Sequence, residues 1–385
     1  MTGSAQLARL REEVIRLGPW ALDVEVTPEL RTRVALDSPP GTYPDAFGEV
    51  GFYDPTEAFK RSMTMIYPEG LAGRRVLDCG CNCGALLFLA KELGAGECVG
   101  FDAREHWIRQ ARFLAANRAG PGADIRFEVC ELGDLAALQL GQFDIVLFHG
   151  IFYHLPDPIH GLKLAADLAK ELVVVNTAAK SGYPDGMLFL SDESRTALMS
   201  GVHGLNWYPT GPAVLTGILE WMGFPHVRCT GWVPYADGSD LDRLVLIASR
   251  DREPIANFDR NGDWRNVMDV TIPPRASVIV LAPRPAEQRR DRGNDPKPPK
   301  IRGRRRLGFP ASDTWRFAAD DPEDDLDAIR QFDELARNAD YLLVRRGEEW
   351  WFDRYPRLRR HVEERCTLVA DERGKCTIFA LRPVS

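Results

Sequence analysis

Short apolar runs separated by amphipathic stretches dominate the chain from residue 74 to residue 249. The runs that predict strands are RRVLDCG, GECVGFD, IRFEVCE, FDIVLFHG, ELVVVNT, HVRCTGW and RLVLIAS. Helical spacing of apolar residues occurs in residues 5–17 and in EHWIRQARFLAANR, IHGLKLAADLAK and GPAVLTGILEWMGF, which ends at Gly223. Strands that alternate with helices predict βαβ units, a mostly parallel sheet and an α/β fold.

The pattern changes after residue 252. PPRASVIVLAP predicts one strand, and a long loop, a helix, a strand, a second helix and further strands follow. We therefore expect an amino-terminal helical and lid segment (1–70), a main domain (71–252) and a smaller α/β domain (253–385). The basic stretch at 289–306 is predicted to be a solvated loop because Pro and Gly interrupt it, with contact to phosphates or acidic glycans as the alternative.

Composition narrows the class of protein. The chain has 385 residues and a net charge of −7, which gives no overall attraction to nucleic acid or to anionic membranes. We find neither a secretion signal nor an apolar run of about 20 residues, the length needed to span a bilayer. The expected location is therefore cytoplasmic, where the 8 cysteines are expected as reduced thiols.

The stretch RRVLDCGCNCGALLFLAKEL predicts a strand, a tight turn and a helix. Gly80 and Gly84 allow the backbone to take unusual dihedral angles and to approach a ligand, which also meets the helix amino terminus. Asp102 ends the next strand eighteen positions after Gly84, close to the separation at which an acidic side chain meets ribose hydroxyls. Together these residues predict a nucleoside pocket.

The turn differs from a dinucleotide fingerprint. Its spacing is D-x-G-x-N-x-G, with Asp78 before the first glycine, whereas the pyrophosphate motif is G-x-G-x-x-G. An acidic residue repels a pyrophosphate but attracts an ammonium group. The three cysteines occupy the intervening positions, where they fit as small apolar residues, and no metal site is predicted.

With these motifs the sequence resembles the class I S-adenosylmethionine-dependent methyltransferases over roughly residues 10 to 250. VLDCGCNCG, VGFD, FDIVLFHGIFYHLPDP and NWYPTGPAVLTGILEWMGFPHVR match four motifs of that family in order. The resemblance implies a Rossmann-like methyltransferase fold with a seven-stranded, mostly parallel sheet. Asn82 replaces the family's central glycine, and asparagine tolerates left-handed backbone geometry.

By the same resemblance, S-adenosyl-L-methionine is the implied cofactor. The residues it assigns to cofactor binding are Asp78, Gly80, Asn82, Gly84, Asp102, Glu131, Leu132 and Gly150. Asp102 is expected at the ribose, and Glu131 or Leu132 at the adenine.

A narrower resemblance is to enzymes that carboxymethylate the wobble uridine of tRNA with carboxy-S-adenosylmethionine. Tyr153 and Arg243 match residues that hold the carboxylate of that cofactor. The family's third clamp residue is a lysine, and Leu22 stands in its place. Since losing one charged hydrogen bond costs about 1.5–3 kcal/mol, ordinary S-adenosylmethionine is preferred.

On the acceptor side, His154 and Tyr153 are the candidate catalytic residues, as base or orienting groups after the fourth strand. Structural alternatives are a loop hydrogen bond for His154 and packing for Tyr153. The candidate substrate-binding residues are Tyr153, Asn206, Trp207, Tyr208 and Arg243. His149 is expected to be structural. Trp20 and the loop at 38–55 are candidates to close over the cofactor.

The carboxyl-terminal part resembles a small domain found with transferases of bacterial glycan clusters. Trp350, Trp351 and Tyr355 are predicted to be core residues, with a sugar-stacking platform as the alternative. The primary hypothesis is an O- or N-methyltransferase of a small or glycan-linked acceptor. The alternatives are a tRNA carboxymethyltransferase and a non-catalytic cofactor-binding protein; self-association as a homo-oligomer stays open.

Overall fold

The structure is a computed structural model. It describes residues 3–35, 55–118, 120–194, 200–235, 239–282, 301, 303–310 and 321–381. Nearly all of the expected lid at 38–55, and residues 289–300 and 302 of the basic stretch, lie outside these ranges. The chain forms two compact units, Met1–Thr230 with Tyr235–Asn261 and Gly231–Pro234 with Gly262–Ser385.

The strands follow in chain order. They are β1 (Glu25–Thr27), β2 (Leu30–Arg31), β3 (Val76–Cys79), β4 (Cys98–Asp102), β5 (Arg126–Val129), β6 (Phe143–His149), β7 (Ala169–Lys180), β8 (Leu188–Asp192), β9 (Leu205–Pro209), β10 (His226–Pro234), β11 (Leu241–Ser249), β12 (Ser277–Leu281), β13 (Arg305–Phe309), β14 (Tyr341–Arg345), β15 (Thr367–Glu372) and β16 (Cys376–Ala380).

The helices are α1 (Gly3–Arg16), α2 (Pro55–Ile66), α3 (Ala85–Glu92), α4 (Glu105–Asn117), α5 (Pro158–Ala166), α6 (Pro212–Trp221), α7 (Arg252–Asn261), α8 (Trp264–Thr271), α9 (Asp325–Ala336), α10 (Trp350–Arg354) and α11 (Pro356–Arg365). No helix within the described ranges is both apolar enough and long enough to cross a bilayer.

A seven-stranded sheet in the order β10-β11-β7-β6-β3-β4-β5 forms the centre of the first unit. β3 pairs in parallel with β4 on one side and with β6 on the other, whereas β11 runs antiparallel to β7. All seven predicted strands are present, and the predicted Rossmann-like fold is confirmed. β3 is buried along its whole length, which explains why it reads as a continuous apolar run.

The boundary of the first unit lies after Asn261, later than the expected boundary at 252. The physical reason is α7, which packs on α2. The side-chain amides of Asn257 and Asn261 donate to the carbonyl oxygens of Ile66 and Met65, at 3.2 and 2.9 Å. The amino-terminal segment also belongs to this unit, because Val14 and Trp20 are fully buried in its core.

A two-stranded antiparallel sheet formed by β8 and β9 is present in addition to the predicted strands. Its register places Leu190 opposite Trp207 and Phe189 opposite Tyr208. β8 is only partly buried, so it lacks the apolar run by which the central strands were recognised.

The second unit contains a five-stranded sheet in the order β13-β12-β14-β16-β15. β13, β12 and β14 are parallel, and β16 is antiparallel to both of its neighbours. Alternate residues of β12 enter different cores: Ile279 packs in one cluster with Trp351, and Val278 and Val280 pack in another with Met268. This sheet confirms the predicted second α/β domain.

The aromatic cluster of the second unit is part of its core, as predicted. Trp350, Trp351 and Tyr355 are all buried. The indole N–H of Trp351 donates to the carbonyl of Ala282 at 2.8 Å, and the Tyr355 hydroxyl donates to the carbonyl of Pro322 at 2.6 Å. These aromatic faces are therefore occupied by packing and do not form a surface platform for sugars.

Candidate active site

A cavity of about 410 Å³ lies at the carboxyl ends of the parallel strands of the first unit. Asp78 of β3, Asp102 of β4 and His149 of β6 are among the residues that line it. The chain passes from β3 to β4 on one side and later returns to β6 on the other, and ligands of α/β sheets bind at such a reversal of strand order. We call this space the strand-end cavity.

Most of the predicted site residues line the strand-end cavity. These are Asp78, Gly80, Asn82, Asp102, Glu131, Leu132, Gly150, Tyr153, His154 and Arg243. Gly84, Asn206, Trp207 and Tyr208 do not line it.

The turn after β3 depends on two residues with left-handed backbone. Gly80 has a φ of 69°, and a Cβ at this position would lie 2.2 Å from Cγ2 of Ile151. Asn82 has a φ of 51°, and its side-chain oxygen accepts the N–H of Cys83 at 2.7 Å. Asparagine thus adopts the left-handed geometry of a glycine and supplies a hydrogen bond to the turn.

Gly84, a predicted cofactor-binding residue, does not line the strand-end cavity and packs against a side chain. It precedes α3 with a φ of 81°, and an added Cβ would lie 2.6 Å from the ring of Phe127. The lack of a side chain at Gly84 therefore allows the helix to approach β5. The spacing of a motif cannot separate a glycine that faces a ligand from one that faces a side chain.

Asp102 joins the turn after β3 to the start of α4. Its Oδ2 accepts the N–H of Asn82 at 3.1 Å, and its Oδ1 accepts the N–H of Arg104 at 3.0 Å. Burial raises the pKa of the Asp102 carboxyl, and the two backbone N–H groups oppose this shift. Each carboxylate oxygen has a second lone pair, so Asp102 can hold the turn and also accept hydrogen bonds from a ligand.

Asp78 is buried at the end of β3 and has an unsatisfied oxygen. Its Oδ1 has no hydrogen-bond partner among the described residues. Burial raises the pKa of the Asp78 carboxyl well above its usual range, and the nearby Asp102 raises it further. A buried carboxyl with an unused acceptor, facing a cavity, is suited to a cationic ligand group.

We expect the variant Asp78→Asn to melt at a higher temperature than the wild type at pH 8, with no ligand added. Because the folded pKa is raised, the folded state binds the proton more tightly than the unfolded state. The free energy of unfolding of the wild type therefore falls as the pH rises from the ordinary pKa of an Asp carboxyl through the raised pKa of Asp78 in the folded state. Asparagine carries no charge, so the difference in melting temperature between variant and wild type should shrink at pH 5.

Thermal unfolding followed by circular dichroism at both pH values measures this difference. Asp192→Asn is the control, since Asp192 is exposed at the end of β8. A difference between Asp78→Asn and wild type that does not change with pH would contradict the expectation.

The predicted acceptor residues on β9 do not belong to the lining of the strand-end cavity. Asn206, Trp207 and Tyr208 belong to a paired strand, and none of them lines the cavity. Tyr208 instead stacks on Tyr153, with ring centroids 6.1 Å apart. Burial raises the pKa of Tyr208 to about 12, so its hydroxyl stays protonated at neutral pH.

His149 lies on the cavity wall, although the sequence suggested a purely structural role. Burial and, as the smaller cause, the charge of Arg243 lower the pKa of His149 to about 3, so the imidazole is neutral. Arg243 donates to the side-chain oxygen of Asn176 at 3.3 Å. The order of the strands in space, which no local motif contains, brings these residues of β6, β7 and β11 together.

The three cysteines of the turn lie in the interior of the protein. Among the described residues there is no group of three or more His, Cys, Asp or Glu side chains that could hold a metal ion. Cys79, Cys81 and Cys83 are buried, and burial raises the pKa of the Cys83 thiol to about 12. Buried free thiols pack as small apolar side chains.

Part of the chain that forms this site is similar to known proteins. A family model described as a methyltransferase domain matches residues 71–196. The ubiquinone biosynthesis O-methyltransferase of Neisseria meningitidis serogroup C is 35% identical over 121 residues, which cover 31% of this chain and 44% of that protein. The tRNA U34 carboxymethyltransferase of Alcanivorax borkumensis is 34% identical over 161 residues, which cover 41% and 47%.

The chain thus spans less than half the length of these two relatives. Among solved structures, the amino-terminal domain of EvdMO1 with SAH bound is 20% identical to this chain, with a TM-score of 0.49. That likeness covers 63% of this chain and 96% of the other.

Proposed function

We propose that residues 71–196 form a class I S-adenosylmethionine-dependent methyltransferase domain. On this premise, the protein transfers a methyl group from S-adenosylmethionine to an oxygen or nitrogen atom of a small-molecule or glycan acceptor. The observation that carries the proposal is a pair of acidic side chains, the buried Asp78 and the half-buried Asp102, that line one cavity from the ends of neighbouring strands.

The strand-end cavity fits the chemistry of this cofactor. S-adenosylmethionine carries an ammonium group, a ribose and a sulfonium methyl, and it supplies the electrophilic methyl when bound. Asp78 has an unused buried oxygen for the ammonium group, and Asp102 has lone pairs for the ribose hydroxyls. Gly80, which has no side chain, lets Ile151 pack against the turn, and both residues line the cavity. Two acidic side chains disfavour a pyrophosphate in the same place.

The alternative cofactor, carboxy-S-adenosylmethionine, has partial support. Tyr153 and Arg243 both line the cavity, and the similarity to tRNA carboxymethyltransferases points the same way. However, Leu22 also lines the cavity and presents an apolar side chain where those enzymes carry a lysine. One missing charged hydrogen bond corresponds to about a ten- to a hundredfold loss of affinity. We therefore prefer S-adenosylmethionine, and a tRNA acceptor is the second candidate.

Isothermal titration calorimetry with each cofactor tests both proposals. We expect S-adenosylmethionine to bind, and carboxy-S-adenosylmethionine to bind no more tightly. The absence of binding at millimolar S-adenosylmethionine would refute the proposed function, whereas tighter binding of the carboxylated form would favour the tRNA enzyme. Methyl transfer to any acceptor would exclude the remaining hypothesis, a non-catalytic cofactor-binding protein.

A further inference from the structure

His154 and Glu193 form a close pair beside the strand-end cavity. Nδ1 of His154 lies 2.7 Å from Oε1 of Glu193, and their side chains are only 15% and 8% exposed. His154 follows β6 in a short 3₁₀ turn, Phe152–His154, and Glu193 directly follows β8. The imidazole also lines the cavity. Glu193 thus contacts a ring that belongs to the cavity wall, from the side of the hairpin.

The hydrogen bonds around this pair bear on which ring nitrogen carries the proton. The N–H of Gly201 is placed to donate to Oε2 of Glu193, at 3.0 Å, and to Nδ1 of His154, at 3.1 Å, and the second of these bonds forms only when Nδ1 is unprotonated. An unprotonated Nδ1 would direct its lone pair at the Glu193 carboxylate, which is also an acceptor. The favourable arrangement has Nδ1–H donating to Oε1 and Gly201 donating to Oε2. Nε2 of the neutral ring is then left with its lone pair.

The backbone around this pair leaves no space for a larger residue at position 201. A Cβ on Gly201 would lie 2.6 Å from Cβ of His154 and 3.0 Å from Oε2 of Glu193. On the other side, the ring of Tyr153 lies 4.0 Å from the imidazole of His154. The imidazole is therefore held by a carboxylate, a backbone segment and an aromatic ring, which is the support that an oriented catalytic group requires.

Two other ionisable groups of the first unit, His149 and Tyr208, are poorly suited to accept a proton. The pKa of His149, about 3, makes it a very weak base at neutral pH. The pKa of Tyr208, about 12, keeps its hydroxyl protonated. His154, whose Nδ1 is paired with Glu193, is better suited to accept a proton than His149 or Tyr208.

We propose, building on the proposed function, that His154 is the general base for a hydroxyl acceptor and that Glu193 is its positioning residue. The acceptor is then a sugar or phenol hydroxyl, since an uncharged amine attacks with a lone pair that needs no prior removal of a proton. In the transfer step the acceptor oxygen forms a bond to the methyl carbon. The methyl–sulfur bond breaks with its electron pair going to sulfur, and the hydroxyl proton moves to Nε2 of His154.

Nuclear magnetic resonance of protein with ¹⁵N-labelled histidine tests the pair without knowledge of the acceptor. The protein is saturated with S-adenosylhomocysteine, and the His154 signals are assigned by comparison with His154→Gln. We expect the Nδ1–H form with an unprotonated Nε2 and a Nδ1 proton shifted downfield by the carboxylate. The Nε2–H form in the wild type would overturn the proposal.

The isosteric variant Glu193→Gln provides the second measurement. It should lose the downfield Nδ1 signal while its affinity for S-adenosylhomocysteine, read by calorimetry, changes less than about twofold. Asp192→Asn is the matched control, since it removes the exposed neighbouring carboxylate and should leave the His154 spectrum unchanged. An unaltered His154 spectrum in Glu193→Gln would refute the role of Glu193. If S-adenosylhomocysteine binds but the histidine spectra differ from those expected, the proposed pair of His154 and Glu193 is refuted and the proposed function stands. If the wild-type protein does not bind S-adenosylhomocysteine, both proposals are refuted.

Discussion

Replacing Arg304 by methionine should lower the free energy of unfolding of the second unit by about 3 kcal/mol or more. The Arg304 side chain is completely buried, and its Nη1 donates to Oδ1 of Asp269 at 2.7 Å. Its guanidinium also donates to the carbonyl of Ile272 at the end of α8. Methionine removes the cation while Asp269 stays buried, and a buried carboxylate that loses its cation is strongly destabilising.

Hydrogen exchange measured by mass spectrometry locates this effect, because peptides from residues 262–281 report on the second unit alone. Arg305→Met is the matched control: Arg305 is exposed at the start of β13, and its replacement should change stability by less than about 0.5 kcal/mol. The double variant Arg304→Met/Asp269→Leu should recover part of the loss, since it removes both charges. Equal effects of Arg304→Met and Arg305→Met would show that the buried pair contributes little.

The same residue shows where the sequence interpretation of the basic stretch was incomplete. The Pro and Gly residues of the stretch predict a solvated loop over residues 289–306. This is wrong for Arg304, which is buried, and for Arg305 and Arg306, which begin strand β13. The deciding partner, Asp269, lies 35 positions earlier on another element. A local charge pattern contains no information about such a partner, so burial of a single arginine could not be predicted.

The central sheet was predictable because its signal is local. The inner parallel strands β3 and β6 are largely buried on both faces and therefore appear as apolar runs. The hairpin of β8 and β9 was missed because it is half-exposed and lies in a segment rich in Gly, Pro and Ser. This omission had a consequence for the site, since Glu193 can be connected to His154 only when the hairpin is known.

In the candidate site, too, the residues of one continuous motif could be predicted, whereas residues brought together by the fold could not. The turn from Asp78 to Asn82 is one continuous stretch, and its spacing was sufficient to predict a ligand pocket there. The contributions of His149 and Asn176 depend on strand order. Strand order follows from the fold as a whole, and only the structure shows which side chains it brings to one wall.

Replacing Asp102 by alanine should weaken the binding of S-adenosylmethionine by at least about a hundredfold. Two hydrogen bonds from ribose hydroxyls to a charged acceptor would be lost, each worth about 1.5–3 kcal/mol. The variant also loses the bonds from the carboxylate to the backbone N–H groups of Asn82 and Arg104, so the turn that faces the ligand is no longer held in place. Both effects reduce affinity.

Asp144→Ala is the control that separates cofactor binding from general damage to the sheet. Asp144 also lies on a strand of the central sheet and accepts a backbone N–H, that of Arg75 at 2.7 Å, but it does not line the strand-end cavity. Its replacement should lower the melting temperature and leave the affinity for S-adenosylmethionine within about twofold of the wild type. Titration calorimetry below the melting transitions of both variants measures the comparison. Similar affinities for Asp102→Ala and Asp144→Ala would mean that Asp102 supports the turn without binding the ribose, and the position of the cofactor in the cavity would have to be assigned to other residues.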